Sequence, residues 1–176
     1  MRPLRILAVC GSLRGLSSSG AVLDAAARLA PDHVRVERYG AIALLPHFNP
    51  DVEETALPRE AADWRAAVAV ADAVLIASPE YAHGVPGSLK NALDWLVGGP
   101  EFVDKTVAVI NPSAHSSFAQ AQLIETLRTM SGRVIDGASI TLPSRPAGGN
   151  MSAILDDEGL SRMIREAVAL LCAAAE

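Results

Sequence analysis

The chain has 176 residues, half of them apolar and a fifth charged, with a formal net charge of −5. That size and apolar share predict one domain, residues 1–176, with a substantial core, and the acidic balance excludes binding nucleic acid by phosphate neutralisation. The longest apolar run, residues 66–77, is broken by Asp72 and too short to span a bilayer. The start of the chain lacks a basic-then-apolar leader, which predicts a cytoplasmic protein. Cys10 and Cys172 are the only cysteines, far apart, and make neither a disulfide framework nor a metal site.

Residues 4–10, Leu-Arg-Ile-Leu-Ala-Val-Cys, read as a central, buried first strand. A polar loop punctuated by glycine follows over residues 11–20, carrying Ser12, Arg14, Ser17, Ser18 and Ser19. An alanine-rich helix over 21–30 stops near Pro31. Residues 34–39 alternate apolar and charged, as a strand nearer the sheet edge does. A loop with two prolines occupies 46–51, and a helix over 59–71 turns Trp64, Ala67, Val68 and Ala71 toward the core. Residues 73–77 are a short apolar run with β-branched members, a third strand buried on both faces.

The loop after that strand holds Pro79, Glu80, Tyr81, Ala82, His83 and Gly84. Pro86 sits where a first-turn proline is tolerated, because its missing N–H would have no helical partner. Leu89, Leu93 and Leu96 then share one helical face, with Trp95 off that face, where it either marks a subunit contact as an exposed tryptophan or covers the helix's own flank. Lys90 and Asp94 are spaced to pair on the helix surface. Gly98-Gly99-Pro100 ends the helix. A fourth strand covers 106–110, and its loop, 111–117, contains Ser113, His115, Ser116 and Ser117. A helix over 118–130 is closed by Gly132. Residues 134–142 contain the fifth strand, 143–150 form a loop rich in proline and glycine, and 159–174 form the last helix.

Strand and helix alternate five times without an internal repeat. This predicts an α/β fold of three layers, flavodoxin-like, with a five-stranded parallel sheet of order 2-1-3-4-5 and helices on both faces. The order reverses between the first and third strands, so their following loops would face one another across a crevice where such sheets bind ligands.

The first loop suits a phosphate. Hydroxyls and free backbone N–H groups meet a helix N-terminus there, and Arg14 adds a charged fork. A serine cap with a solvated arginine accounts for the same residues. The Walker spacing and the Gly-x-Gly-x-x-Gly fingerprint are both absent. A cysteine phosphatase would need its arginine six positions after Cys10, where Leu16 stands, so Cys10 reads as a small buried hydrophobe.

Gly11-Ser12-Leu13-Arg14 with serines following, and Pro79-Glu80-Tyr81 leading to Pro86-Gly87-x-Leu-Lys-Asn-Ala-x-Asp-Trp, resemble the NADPH-dependent FMN reductases and the related quinone, azo-dye and chromate reductases. The segment 45–51 resembles the family's stretch after strand two. The resemblance implies that Ser12, Arg14, Ser17 and Ser19 hold the FMN phosphate, with Ser18 near the helix start. It implies that Pro79, Glu80, Tyr81, Ala82, His83 and Gly84 line the isoalloxazine ring, and that the loop with Ser113 and His115 passes its other side. Ala82 stands where the family usually has Asn, and Ser116-Ser117 where it often has paired glycines. His83 could border the acceptor pocket or be solvated, and His115 could face the flavin's pyrimidine edge. Glu80 reads better as a carboxylate capping backbone N–H groups than as a general acid.

The function implied is an FMN-dependent oxidoreductase that passes hydride from NADPH or NADH to the flavin. Electrons then go to a small-molecule acceptor: a quinone, free flavin, azo compound or metal ion. No catalytic side chain and no protein-bound metal are needed. The alternative is a non-catalytic, flavodoxin-like electron carrier or flavin-binding regulator. A carrier commonly sandwiches its flavin between aromatic rings, whereas aromatics are 4% of this chain. The resemblance also implies a homodimer or homotetramer, and Arg145 is a candidate for recognising a 2′-phosphate.

Overall fold

From Ile6 to Cys10 every residue of β1 (Leu4–Cys10) is buried, with Ile6, Ala8 and Cys10 packing on one side and Leu7 and Val9 on the other. Side chains alternate across a strand, so a strand apolar on both faces needs cover on both. The computed structural model describes residues 2–115, 117–144, 146 and 149–176. Arg145 and Ser116 lie outside the described residues. After β1 come α1 (Ser18–Leu29), β2 (Val34–Arg38), a 3-10 turn (Ile42–Leu44), α2 (Pro50–Thr55), α3 (Arg59–Val70) and β3 (Ala73–Ala77). Next are α4 (Gly87–Val97), β4 (Thr106–Asn111), α5 (Ser117–Thr129) and β5 (Arg133–Val134). A second 3-10 turn (Asp136–Ala138), β6 (Ile140–Thr141), α6 (Met151–Leu155) and α7 (Glu158–Ala175) complete the order.

The sheet runs β2-β1-β3-β4-β5 with every pairing parallel, which is the flavodoxin-like order. On one face α1, α6 and α7 bury Val22, Leu23, Ile154, Ile164 and Leu171 against β1, β3 and β4. On the other, α3, α4 and α5 bury Trp64, Leu89, Leu93 and Leu123. The Trp64 indole is fully enclosed, and its Nε1 donates to the Ala92 carbonyl at 2.7 Å, so burial leaves no polar atom unpaired.

Four sequence expectations change. The fifth strand is two short pieces: β5 pairs with the start of β4 and β6 with its end, giving a sixth strand. Between them Asp136-Gly137 turns the chain out, and the Ser139 hydroxyl accepts from the Val109 N–H at 3.2 Å in place of the missing ladder bond. Trp95 is not exposed: it is wholly buried, its Nε1 donates to the Pro46 carbonyl at 2.8 Å, and Phe48 meets it edge-on at 5.1 Å. Asn91 ties that covering segment down, accepting from Phe48 N at 2.8 Å and donating to Pro46 O at 2.9 Å. Two short helices, α2 and α6, arise in stretches where no helix was expected, each opened by an asparagine cap, Asn49 or Asn150. Finally, α1 begins at Ser18, three residues before the expected start at residue 21.

Candidate functional site

The carboxyl ends of β1 and β3 lie side by side at the point where the strand order reverses. Gly11 N donates to the Ala77 carbonyl at 2.9 Å, so the two following loops leave the sheet in contact. A Cβ on Gly11 would stand 2.4 Å from Ser78 Oγ and 2.9 Å from Ser78 Cβ. Only glycine allows this approach without displacing the neighbouring loop.

Ser17 caps α1. It is extended at φ −148°, its Oγ accepts from Gly20 N at 3.0 Å, and its carbonyl accepts from Ala21 N at 2.9 Å. The backbone N–H groups of Ser18 and Ser19 then open the helix with no acceptor among the described residues. Ser12 and Ser19 are buried, and Ser12 Oγ accepts from Arg14 N at 3.3 Å, which bends the loop back toward the helix. No carboxylate among the described residues pairs with the Arg14 guanidinium. The result is a cluster of unpaired donors at the positive end of a helix dipole. Cys10 is buried beneath it, 4.0 Å from Ser17 Oγ.

Across the crevice the chain makes a tight turn. Tyr81 N donates to Gly84 O at 3.1 Å and Gly84 N to Tyr81 O at 2.9 Å, with Ala82 at φ 49° and His83 at φ 60°. Two positive φ values in the central positions define a primed turn, in which Asn-Gly is favoured. Ala-His here carries a left-handed penalty of about 1 kcal/mol or more per residue. The turn is braced from α5. Glu80 Oε2 accepts from Ala119 N at 2.8 Å, Gln122 Oε1 accepts from Val85 N at 3.0 Å, and the His83 ring stacks on Phe118 at 4.4 Å. Glu80 thus caps a helix of another loop, as its sequence reading anticipated, and its charge suits that helix N-terminus.

The third loop is fixed by Asn111. Its Oδ1 accepts from Ser113 N at 3.1 Å and its Nδ2 donates to Gln120 Oε1 at 3.1 Å, while Ser113 Oγ accepts from His115 N at 3.3 Å. Thr141 Oγ1 on β6 also donates to Gln120 Oε1 at 2.6 Å, so the split fifth strand supports this loop.

The three loops enclose a cleft of about 130 Å³. Of the sequence-predicted residues, Ser12, Arg14, Ser17, Ser18 and Ser19 line it from one side and Pro79, Glu80, Tyr81 and Ser113 from the others. Ala82, His83 and Gly84 lie beyond its lining, on the turn at its rim, and His115 is exposed outside it. Sequence reasoning missed the wall residue Pro112 and the bracing residues Gln120 and Gln122. Nothing local marks the two glutamines, because Gln122 acts on Val85, 37 residues back, and Gln120 joins Asn111 to Thr141, 21 residues on. A larger cavity of about 650 Å³ lies at the opposite, amino end of the sheet, by Arg2, His33, Asp72 and Glu176. Arg2 pairs with Asp72 at 2.6 Å, and the His33 ring lies 3.7 Å from a Glu176 carboxylate oxygen. The smaller cleft lies at the strand carboxyl ends, where open α/β sheets bind ligands, and holds the unpaired donors. Among the described residues no cluster of His, Cys, Asp and Glu could hold a metal ion.

The sequence pattern of NADPH-dependent FMN reductases matches residues 4–146. An NAD(P)H-dependent FMN reductase of Pseudomonas aeruginosa is 32% identical over 161 residues, covering 88% of this chain and 86% of the relative. An NAD(P)H:quinone oxidoreductase of Solanum tuberosum is 30% identical over 184 aligned positions, covering 98% of this chain and 93% of the relative. The solved structure of the flavoenzyme NAD(P)H:(acceptor) oxidoreductase FerB from Paracoccus denitrificans superposes with a TM-score of 0.77 at 24% identity, covering 97% of this chain and 98% of that one, and bears on the fold alone. With a family pattern across its three cleft loops and relatives matched along nearly their whole length, the chain belongs to the NADPH-dependent FMN reductase family.

Proposed function

We propose that the cleft holds FMN with its phosphate at the N-terminus of α1 and its ring beside the Pro79–Gly84 loop, and that the acceptor served there is a quinone. As a member of its family the chain is an oxidoreductase that uses FMN and a nicotinamide donor, NADPH or NADH. The observation carrying the site assignment is the donor set. The free N–H groups of Ser18 and Ser19, the buried hydroxyls of Ser12 and Ser19, and the unpaired Arg14 fork fit a phosphate dianion.

When bound, FMN supplies the redox chemistry, taking two electrons from the nicotinamide and releasing them to the acceptor. The chain's residues bind and orient. Ser17 fixes the first turn of α1 so that its donors converge. Pro79 and Pro112 present apolar walls, and Glu80 ties the second loop to the helix that follows the third. Positioning of this kind supplies much of the rate when two planar partners must stack. No aromatic ring among the described residues except Tyr81 lines the cleft, which leaves room for nicotinamide and then acceptor. The electron-carrier alternative is not favoured by the relatives, which are named as an FMN reductase and a quinone oxidoreductase.

The same proposal covers residues 1–176 working as one domain, a cytoplasmic location, and association into a homodimer or homotetramer. No helix among the described residues is long and apolar enough to cross a membrane. Leu13, Leu16, Tyr81 and Phe118 are exposed on the elements bordering the cleft, which suits a subunit contact there. A sedimentation run should give a mass of two or four chains, and a monomer at micromolar concentration would contradict the association. Turnover of NADPH or NADH with menadione by the FMN-loaded protein tests the activity, and failure with both donors would refute it.

A further inference from the structure

We propose that Gln122 is a positioning residue for FMN, holding the Tyr81–Gly84 turn in its ring-facing conformation; this rests on the assignment of that turn to the ring edge. The turn needs outside support. Ala82 and His83 both occupy the left-handed region, yet neither is a glycine or an asparagine. Its own closure is only the reciprocal pair of bonds between Tyr81 and Gly84. Strain of this kind persists only where the surroundings over-determine it, and it gathers where a ligand is clamped.

The support comes from the first two turns of α5. Phe118 and Gln122 are four residues apart and therefore share one helical face. Phe118 stacks on the His83 ring, tilted by 14°, and Gln122 accepts from the backbone N–H of Val85 at 3.0 Å. Glu80 reaches the same helix through Ala119 N at 2.8 Å. Glu80 and Val85 flank the turn, so the two hydrogen bonds bracket it and the stacked rings hold its tip. Gln122 Oε1 also comes within 3.7 Å of where a Cβ on Gly84 would stand, so the amide lies against the turn. Gln122 itself is exposed and belongs to neither core cluster, so the fold at large does not depend on it. Its contribution should therefore appear in the turn and in what the turn touches.

Gln122→Leu removes the acceptor and keeps a helix-forming side chain. Gln122→Glu keeps an acceptor oxygen at the same reach. FMN affinity is read by flavin fluorescence on cofactor-free protein, alongside its thermal midpoint and the amide exchange rate of Val85. With Gln122→Leu the FMN Kd should rise about tenfold, equivalent to ~1.4 kcal/mol, Val85 should exchange faster, and the midpoint should hold. With Gln122→Glu, Val85 protection should return and the Kd should lie within about threefold of wild type. Wild-type FMN affinity in Gln122→Leu, or Gln122→Glu binding as weakly as Gln122→Leu, would overturn the inference. A wild-type chain that takes up no FMN would refute the underlying site reading, and this inference with it.

Discussion

Gly11 offers the sharpest perturbation of the cleft. A methyl group there would meet Ser78 Oγ at 2.4 Å, Ser78 Cβ at 2.9 Å and Leu89 Cδ2 at 3.1 Å. Rotating the Ser78 hydroxyl away relieves the first contact but not the second, and Leu89 is wholly buried in the core beneath α4. Gly11→Ala must therefore push the loop after β3 away from the loop after β1. Overpacking of this size costs about 1–3 kcal/mol. For a chain of this length that corresponds to a fall in Tm of about 2–4 °C per kcal/mol. FMN affinity should fall as well, because the displaced loops are the two that face one another across the cleft. Gly11→Ala/Ser78→Gly removes both Ser78 contacts and should recover much of the loss. Ser78→Gly alone adds its own backbone cost of about 0.5–1 kcal/mol. The coupling between the two positions is isolated by the full double-mutant cycle, measured by urea denaturation and FMN titration. A Gly11→Ala protein as stable as wild type, or a cycle with no coupling, would refute the close-approach argument.

Two further outcomes follow from the geometry. Ser17→Ala removes the cap of α1 and should destabilise the chain by about 1 kcal/mol, Ser17→Gly by only a few tenths; FMN affinity should fall with the alanine variant, and equal stability of all three proteins in urea would contradict the cap. Asp72 accepts from the Arg2 fork and from Arg5 N, and the Arg2 bond leads in holding its carboxyl below the ordinary value. A lowered folded value means that the stabilisation is present above the ordinary carboxylate pKa and is lost as pH falls through the lowered one. Asp72→Asn should therefore be less stable than wild type at neutral pH, by a small margin because Arg2 is largely exposed, with the gap closing in strong acid; a gap independent of pH would contradict the pairing.

The parts of the fold legible in the sequence are those set by local pattern. The continuous apolar runs of β1, β3 and β4 could only be central strands, and with them came the sheet order and the crevice. The Ser17 cap and the helix behind it were legible as a type of feature, although the helix start was misplaced by three residues. What stayed hidden depends on distant partners or on elements too short to show a period. Trp95 looked exposed because its cover, Pro46 and Phe48, comes from far back in the chain. The Asn-Pro start of α2 and the Asn150 cap of α6 were visible signals, but helices of six and five residues have no periodicity to confirm them. The fifth strand broke at Asp136-Gly137, a turn pair inside the region expected to contain it. In the site, the departure of Ala82 from the family's usual Asn was legible, while the left-handed backbone that gives it meaning was not.

FMN binding by the cofactor-free chain, with bound flavin identified by mass after release, is the decisive test of a phosphate site at the N-terminus of α1. One FMN should bind per chain, weakened by Arg14→Ala, with the flavin colour lost on adding NADPH or NADH and restored by menadione. A chain that takes up no FMN, or binds it equally well without Arg14, would contradict the assignment of the α1 N-terminus as the phosphate site.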